Sequence, residues 1–438
     1  MKKDKILNLI KQEEKRQRET LMMIPSENYT YPEVLSAVGS VLMHKYSEGQ
    51  PGKRYYQGNK YIDEIETLCQ KRALAAFNLN PKTWGVNVQA HSGSEANLAV
   101  INGLLKPKEK ILSMTLSHGG HLSHGWHLPD KKVTLVSKVW NVDFYGVNKK
   151  TKVFDYDEIE KIALRFKPKL IISGGTAYPR EINHQKLAAI AKKVHAYYLA
   201  DISHEAGLVA GGANSSPFPF ADIVTMTTHK TLRGPRGALI FGKNNLMAAI
   251  NHSVFPEIQG GPHNHTIAGI AVALAKTKTK KFKQYAWQTV KNAKYLATLL
   301  KKFNFDIVSG GTDKHLILID LRNKNTNGWF AAYALEAAGI VTNRNSVPYD
   351  KDSIYYPSGL RLGTPAITVR GMKEREMEKI ANWINKVISW VGERKIPANR
   401  EERKKYLDRF KKEVEKSEVL KKINKEVKNL CKRFQIPK

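Results

Sequence analysis

The sequence predicts an α/β fold, in which a large domain is built on a mostly parallel central sheet and a smaller α/β domain follows. Short apolar runs alternate with amphipathic helical stretches between about residues 58 and 245, as expected for strands joined by helices. A long helical region at about 265–302 then precedes a second α/β-like part. The length of 438 residues is enough for two or three domains with a large core.

The apolar runs predict strands, and the amphipathic stretches predict helices. The predicted strands are 85–88, 110–116, 134–139, 170–173, 197–201, 223–226, 238–241 and 316–321. Helices are predicted at about 4–20, from near Ser94, at 186–195, 265–302 and 330–338, and through most of the chain after Met372. We expect an N-terminal helical arm at 1–30, a large domain at 31–275 and a small domain at 276–438.

Composition argues against several classes of protein. No apolar run approaches the roughly 18 residues that a membrane span needs, and the N-terminus lacks an apolar signal core. The two cysteines, Cys69 and Cys431, give neither a disulfide framework nor a thiolate metal site. We therefore expect a cytoplasmic protein without membrane contact.

The formal net charge of +32 raises nucleic acid as a partner. Residues 394–438 hold 17 Lys and Arg against 7 Asp and Glu, a net of +10, and the rest is spread over the other residues. In this tail the charges alternate with apolar residues at helical spacing. This pattern favours the solvated face of packed helices over a nucleic-acid site.

The stretch 222–237 is the most informative part of the sequence. A buried strand at 223–226 leads through Thr227, Thr228 and His229 to Lys230, and glycines and a proline then force the chain to turn. An isolated loop lysine is usually a surface residue. A lysine delivered by a strand end into a tight polar turn is instead placed as a nucleophilic amine would be.

Other chemically useful groups also follow predicted strands, where open parallel sheets bind ligands. Ser92, Gly93 and Ser94 open a helix and could hold a phosphate, although a plain helix cap explains the serines equally well. Asp201 ends a strand and could keep a pyridine nitrogen protonated, or cap the next helix.

A histidine-rich stretch, 118–127, suggests metal binding, but its glycines prevent a helix from presenting the rings together. We therefore predict no metal, and expect a ring here to stack on a flat ligand. A phosphate loop, a stacking ring, Asp201 and Lys230 together describe a pyridoxal phosphate site. Arg361, among turn-forming residues, could bind a substrate carboxylate with two hydrogen bonds.

The sequence resembles the serine hydroxymethyltransferases, which are fold-type I pyridoxal-phosphate enzymes, over essentially its whole length. The motifs that carry the resemblance are Pro25-Ser-Glu-Asn-Tyr29, Tyr46-Ser-Glu-Gly49, His91-Ser-Gly-Ser94, His118-Gly-Gly-His-Leu122, Asp201-Ile-Ser-His204, Thr227-Thr-His-Lys-Thr-Leu-Arg-Gly-Pro-Arg-Gly237 and Arg361-Leu-Gly-Thr-Pro-Ala-Ile367. The resemblance implies transfer of the serine hydroxymethyl carbon to tetrahydrofolate or a related reduced pterin, which leaves glycine.

The resemblance also implies a role for each matching residue. Pyridoxal 5'-phosphate would be covalently bound to Lys230, with His229 tuning specificity and His121 stacked on the ring. The other cofactor contacts would be Asp201, Thr176, His204, Ser92, Gly93, Ser94, Tyr46 and Gly261. The substrate carboxylate would bind Arg361, Ser26 and Tyr56, and Glu48 would act as acid and base at the serine hydroxyl. The pterin pocket would include Leu116, Gly120, Leu122, Asn345, Ser353 and Tyr355.

The family pattern further implies a homodimer, or a tetramer built from dimers, because Tyr46, Glu48, Tyr56 and Gly261 would reach the site of the partner subunit. Ser353-Ile354-Tyr355 departs from the Ser-Pro-Phe of many relatives, so the choice between tetrahydrofolate and a modified pterin stays open. A threonine-type aldolase, which needs no pterin, is the nearest alternative. The presence of Glu48 and Asn345 argues against it.

Overall fold

The computed structural model describes residues 4–437. Contacts between its residues divide the chain into a large unit, residues 30–287, and a small unit that combines residues 4–29 with 288–437. The second boundary falls within the helix Lys280–Lys302. The three predicted domains and their boundaries stay a prediction.

Helices and strands are numbered in chain order over residues 4–437. The helices α1 to α16 are Lys5–Glu19, Pro32–Val38, Lys60–Ala76, Gly93–Leu104, Leu135–Val139, Tyr156–Phe166, His184–Lys193, Ala206–Ala210, Asn244–His252, Asn264–Thr277, Lys280–Lys302, Gly328–Ala337, Pro365–Val369, Glu374–Val391, Arg400–Lys416 and Glu418–Arg433. The strands β1 to β17 are Leu21–Met22, Gly49–Gln50, Lys53–Arg54, Trp84–Asn87, Lys110–Met114, His127–Leu128, Lys131–Lys132, Asn141–Tyr145, Leu170–Ser173, Tyr197–Asp201, Ile223–Thr227, Ala238–Lys243, Asp306–Ile307, Leu316–Asp320, Ile340–Val341, Asn343–Asn345 and Gly359–Gly363.

The large unit is built on a seven-stranded sheet in the order β4-β12-β11-β10-β9-β5-β8. All strand pairs from β11 to β8 are parallel, and β12 runs antiparallel to both of its neighbours. The central strands β9 to β11 are buried along nearly their whole length, which explains why they read as continuous apolar runs. The predicted α/β class with a mostly parallel sheet is confirmed.

One predicted strand is wrong. Residues 134–139 were expected to form a strand because they are rich in apolar and β-branched residues, but Leu135–Val139 is a short helix. The side chain of Thr134 accepts a hydrogen bond from the Ser137 amide and so caps this helix. The strand of this region is β8, which begins just after this helix and pairs with β5.

The small unit has its own four-stranded antiparallel sheet, in the order β13-β14-β17-β16. Its core consists mainly of apolar side chains from this sheet and from α11, α12, α14, α15 and α16, including Phe330, Ile384 and Phe410. The N-terminal segment joins this unit through β1, which pairs with β15 in parallel. Among the helices of residues 4–437, none is long and apolar enough to cross a membrane.

Candidate active site

The predicted cofactor residues follow the carboxyl ends of five strands in the large unit. Ser92, Gly93 and Ser94 follow β4, Thr176 follows β9, and Lys230 follows β11. Asp201 is the last residue of β10, and His121 lies in the loop after β5. Because these strands run in the same direction, their carboxyl ends share one edge of the sheet.

Asp201 is a buried carboxylate with several polar groups close to its two oxygens. Its Oδ2 accepts from Asn97 Nδ2 at 2.8 Å and lies 2.9 Å from His124 Nε2. Its Oδ1 accepts from the amide and the hydroxyl of Ser203, at 3.0 and 2.5 Å. Burial by itself raises the pKa of Asp201, but the interactions with His124, His121 and Ser203 outweigh it and hold the pKa far below its usual range. The side chain is therefore a carboxylate at any physiological pH.

Sequence reasoning missed the residues that hold this carboxylate. Asn97 also accepts from Thr225 Oγ1 at 2.6 Å and donates to Ser123 Oγ at 2.9 Å, and Ser123 Oγ lies 2.8 Å from His121 Nδ1. The network thus joins β10, β11, α4 and the loop after β5. The members of this network are far apart in the chain, so no sequence pattern links them. The one available signal is the regular spacing of histidines at 118–127, which includes His124.

The histidine-rich stretch does not gather its rings on one metal. His124 interacts with Asp201, His118 Nδ1 accepts from the Val147 amide at 3.2 Å, and His127 Nε2 lies 3.2 Å from the carbonyl oxygen of Val142. Nowhere within residues 4–437 do three or more His, Cys, Asp or Glu side chains form a group that could hold a metal ion.

Lys230 lies in a tight, buried turn, and its side chain is 9% exposed. The turn closes through hydrogen bonds from the Gly234 amide to the Thr228 carbonyl, at 2.7 Å, and from Thr231 Oγ1 to the His204 carbonyl, at 2.9 Å. Helix α8 packs closely against this turn: a Cβ atom built on Gly207 would lie 2.1 Å from the carbonyl oxygen of Thr231. The fold therefore fixes the backbone that carries this amine.

Two histidines near Lys230 have strongly lowered pKa values. Burial lowers the pKa of His121 to about 4; the neighbouring His124 and Lys230 lower it further, and Asp201 partly opposes them. Burial, Arg236 and Lys230 lower the pKa of His229 to about 3. Both rings are therefore neutral at pH 7 and bury no charge of their own.

The residues around Lys230 fit pyridoxal phosphate. Helix α4 begins at Gly93, and the Ser92 side chain makes no cap hydrogen bond to it, so this N-terminus keeps donors for a phosphate. A Cβ atom on Gly93 would lie 2.5 Å from Thr227 Cγ2, and the Thr227 amide donates to Ser203 Oγ at 3.1 Å. The predicted phosphate site thus adjoins the Asp201 cluster, and the depressed pKa of Asp201 suits a carboxylate that faces a protonated ring nitrogen.

The backbone beside Asp201 is packed closely. A Cβ atom on Gly174, whose φ is +120°, would lie 2.1 Å from the Asp201 carbonyl oxygen. The amide of Thr176 donates to the carbonyl of Gly119 at 2.7 Å, and His204 is 5% exposed. Gly120 likewise leaves no room for a side chain, because its Cβ would lie 2.1 Å from the Met114 carbonyl oxygen. These contacts join the loops after β5, β9 and β10.

Four residues predicted to serve a partner's site form a separate cluster in the large unit. Tyr56 donates to Glu48 Oε2 at 3.1 Å, and the rings of Tyr46 and Tyr56 pack edge to face at 5.4 Å. Gly261 lies against the Tyr46 ring, with 3.0 Å between an added Cβ and Cε1. Tyr46 and Tyr56 are 55% and 42% exposed. The cluster therefore presents a carboxylate and two phenols at the surface of the chain.

Arg361, Ser26 and three of the predicted pterin residues belong to the small unit. Arg361 lies on β17, is 6% exposed and donates from Nε to Asn343 Oδ1 at 3.2 Å, and burial lowers its pKa to about 10. Pro25, which precedes Ser26, packs on Gly363 at the end of the same strand. Asn345 is on β16, and Ser353 and Tyr355 lie in the loop between β16 and β17. The predicted pterin residues are thus divided between the units, with Leu116, Gly120 and Leu122 in the large one.

Comparisons with known proteins agree with this arrangement. The family model described as serine hydroxymethyltransferase matches residues 1–384. The serine hydroxymethyltransferase of Desulfotalea psychrophila is 48% identical over 99% of this chain and 94% of its own length. The mitochondrial enzyme of Schizosaccharomyces pombe is 44% identical over 99% and 92%, and the cytosolic enzyme of Saccharomyces cerevisiae is 46% identical over 88% and 85%.

The relatives are named for two compartments, so the cytoplasmic location of this chain stays a prediction. The family model and these identities over nearly whole chains leave no such ambiguity about the reaction. The chain belongs to the serine hydroxymethyltransferase family, whose enzymes exchange serine and glycine by moving a one-carbon unit to and from tetrahydrofolate.

Proposed function

We propose that this chain carries out the serine hydroxymethyltransferase reaction with pyridoxal phosphate held by the large unit and attached to Lys230. When bound, this cofactor supplies an electron sink for the carbon atom that loses or gains the hydroxymethyl group. The observation that carries the proposal is the buried Asp201 carboxylate, since its donors keep it ionised at the strand end beside the Lys230 turn.

Different residues of the chain would bind different parts of the cofactor. The N-terminus of α4, with Ser92 and Ser94, would hold the phosphate. Asp201 would accept a hydrogen bond from the protonated ring nitrogen, and the neutral His121 ring would stack on the cofactor. The rigid turn would keep the Lys230 amine at a fixed position, which covalent attachment requires.

Arg361 and Glu48 would act on the amino acid itself. The Arg361 guanidinium, buried on β17, would bind the substrate carboxylate with Ser26 and Tyr56. Glu48 would take up and return the proton of the serine hydroxyl group, and the Tyr56 hydroxyl that donates to it would hold its orientation. Glu48 and Tyr56 form one exposed cluster, which supports their action in the site of a second subunit.

Reductive trapping tests the role of Lys230. After incubation with pyridoxal phosphate and borohydride, peptide mapping is expected to place the label on Lys230 in the wild-type protein and to find none there in Lys230→Ala. Asp201→Asn is expected to retain the label at reduced occupancy, because it keeps the amine but weakens the ring contact. Quantitative labelling of a different lysine would contradict the assignment.

Mixed subunits test the shared site. Lys230→Ala and Glu48→Gln subunits, unfolded and refolded together in equal amounts, are expected to recover about a quarter of wild-type activity, because half of the dimers contain one intact site. A control mixture of Lys230→Ala and Asp201→Asn has both defects in residues of one subunit's site and should recover none. If the first mixture also stays inactive while forming dimers, Glu48 serves its own chain.

Substrate assays test the pterin. Serine cleavage is expected to depend on a reduced pterin, and comparison of tetrahydrofolate with a modified tetrahydropterin identifies the preferred one. Cleavage of allo-threonine that far exceeds serine cleavage under both conditions would instead favour an aldolase.

A further inference from the structure

The small unit contains a cavity of about 480 Å³ that the reaction does not explain. Its walls come from the turn after β14, the loop before β17 and the segment that joins α14 to α15. Its volume lies within the range of about 300–1,000 Å³ that is typical of small-molecule sites. Among the residues assigned to the reaction, Ser353 alone lies in its wall.

The cavity is lined by four cationic side chains, Arg322, Arg394, Lys395 and Arg403. Arg322 is paired with Asp320, and Arg394 lies 2.9 Å from Glu413. Lys395 and Arg403 form no ion pair within residues 4–437. A single carboxylate, Asp352, faces these four cations in the wall, and Asp320 and Glu413 neutralise two of them, so the unpaired positive charge rests on Lys395 and Arg403.

The two unpaired cations differ in their setting. Lys395 is exposed, whereas Arg403 is partly buried, donates weakly to the Pro397 carbonyl at 3.4 Å and has its guanidinium 5.6 Å from the centre of the Tyr356 ring. Tyr356 and Ile396 add an apolar part to the lining. The Arg403 guanidinium is thus held by its neighbours while it keeps donors for a ligand.

We propose that this cavity binds a small polyanion, a molecule with at least two phosphate or carboxylate groups and a short apolar part. Lys395 and Arg403 would bind the anionic groups through charge-assisted hydrogen bonds. The apolar part would lie against Tyr356.

The site also has a consequence for the pterin, which rests on the proposed function. Asp352 and Ser353 belong both to the cavity wall and to the loop between β16 and β17, in which Ser353 and Tyr355 are predicted pterin contacts. A bound polyanion would fix this loop by accepting a hydrogen bond from the Ser353 hydroxyl group. It is therefore expected to change the KM for the pterin and leave the KM for serine unchanged.

Calorimetric titration of the full-length enzyme, saturated with pyridoxal phosphate, tests the site with pyrophosphate and with citrate as probes. At least one probe is expected to bind, and the ratio of the two affinities separates a phosphate ligand from a carboxylate one. In Lys395→Gln/Arg403→Gln the affinity should fall about tenfold or more, as expected for lost charge-assisted hydrogen bonds. The control Lys404→Gln/Lys405→Gln removes two exposed charges of α15 outside the cavity and should change it less than about twofold.

Failure of both probes to bind, or equal weakening in the α15 control, would overturn the site. If a probe binds through Lys395 and Arg403 but the KM for the pterin does not move, the site stands and the coupling to the proposed pterin pocket is wrong.

Discussion

Arg370 links the ends of two helices in the small unit, and its replacement by methionine should release both. It follows α13 and is 5% exposed. Its guanidinium donates to the carbonyls of Thr20, Arg18, Cys431 and Phe434 at 2.8, 3.0, 3.0 and 2.5 Å, and more weakly to that of Gln17 at 3.4 Å. These carbonyls lie at the carboxyl ends of α1 and α16, where a helix lacks partners of its own.

The expected loss follows from these contacts. Four hydrogen bonds have good geometry, and each contributes about 1 kcal/mol net. The positive charge also interacts with the negative ends of two helix dipoles, which adds a few tenths of a kcal/mol or more at each end. Desolvation of the guanidinium offsets part of this gain. Two of the four bonds are accepted at the end of α16, so we expect Arg370→Met, which keeps most of the aliphatic bulk, to cost about 2 kcal/mol in the local stability of α16.

Native-state hydrogen exchange measures this loss directly. A cost of about 2 kcal/mol corresponds to about thirtyfold faster exchange of protected amides in α16, where Leu420, Ile423, Val427 and Leu430 are buried. Amides of β10 and β11 in the large unit should keep their rates. Arg375→Met, which removes an exposed arginine on α14, is the matched control. The reasoning is refuted if α16 exchanges less than about tenfold faster, or if both variants behave alike.

Two further predictions concern the region around Lys230. Because the pKa of Asp201 is depressed in the folded state, its ionised form contributes stability that is present above its unfolded pKa of about 4 and is lost as the pH falls below that value. In urea unfolding, the stability difference between wild type and Asp201→Asn should therefore shrink by about 1.4 kcal/mol per pH unit below about pH 4, and a constant difference would contradict the depressed pKa. Gly207→Ala should lower both Tm and the borohydride-trapped label on Lys230, because its Cβ would lie 2.1 Å from the Thr231 carbonyl oxygen. Gly39→Ala, where the nearest atom is at 3.4 Å, should lower neither, and equal losses in the two variants would argue against steric pressure on the turn.

Much of the fold could be predicted because its signals are local. The strands at 170–173 and 197–201 are buried along almost their whole length and therefore read as apolar runs bounded by polar residues. The failure at 134–139 has a local cause too, since a single cap at Thr134 turns a strand-like composition into a helix. Threonine does favour the N-cap position, but the apolar, β-branched composition that follows it indicates a strand more strongly.

The sequence by itself determined the chemistry of this protein, because Lys230 and Asp201 stand at the ends of recognisable strands and lie within motifs of one enzyme family. Only the tertiary structure decided what surrounds them. It brought His124 and Asn97 onto Asp201 across 77 and 104 residues of chain, and it placed Arg370 against the carboxyl ends of α1 and α16. Contacts of this kind depend on the packing of distant elements, whereas sequence periodicity reports only which face of each element is buried.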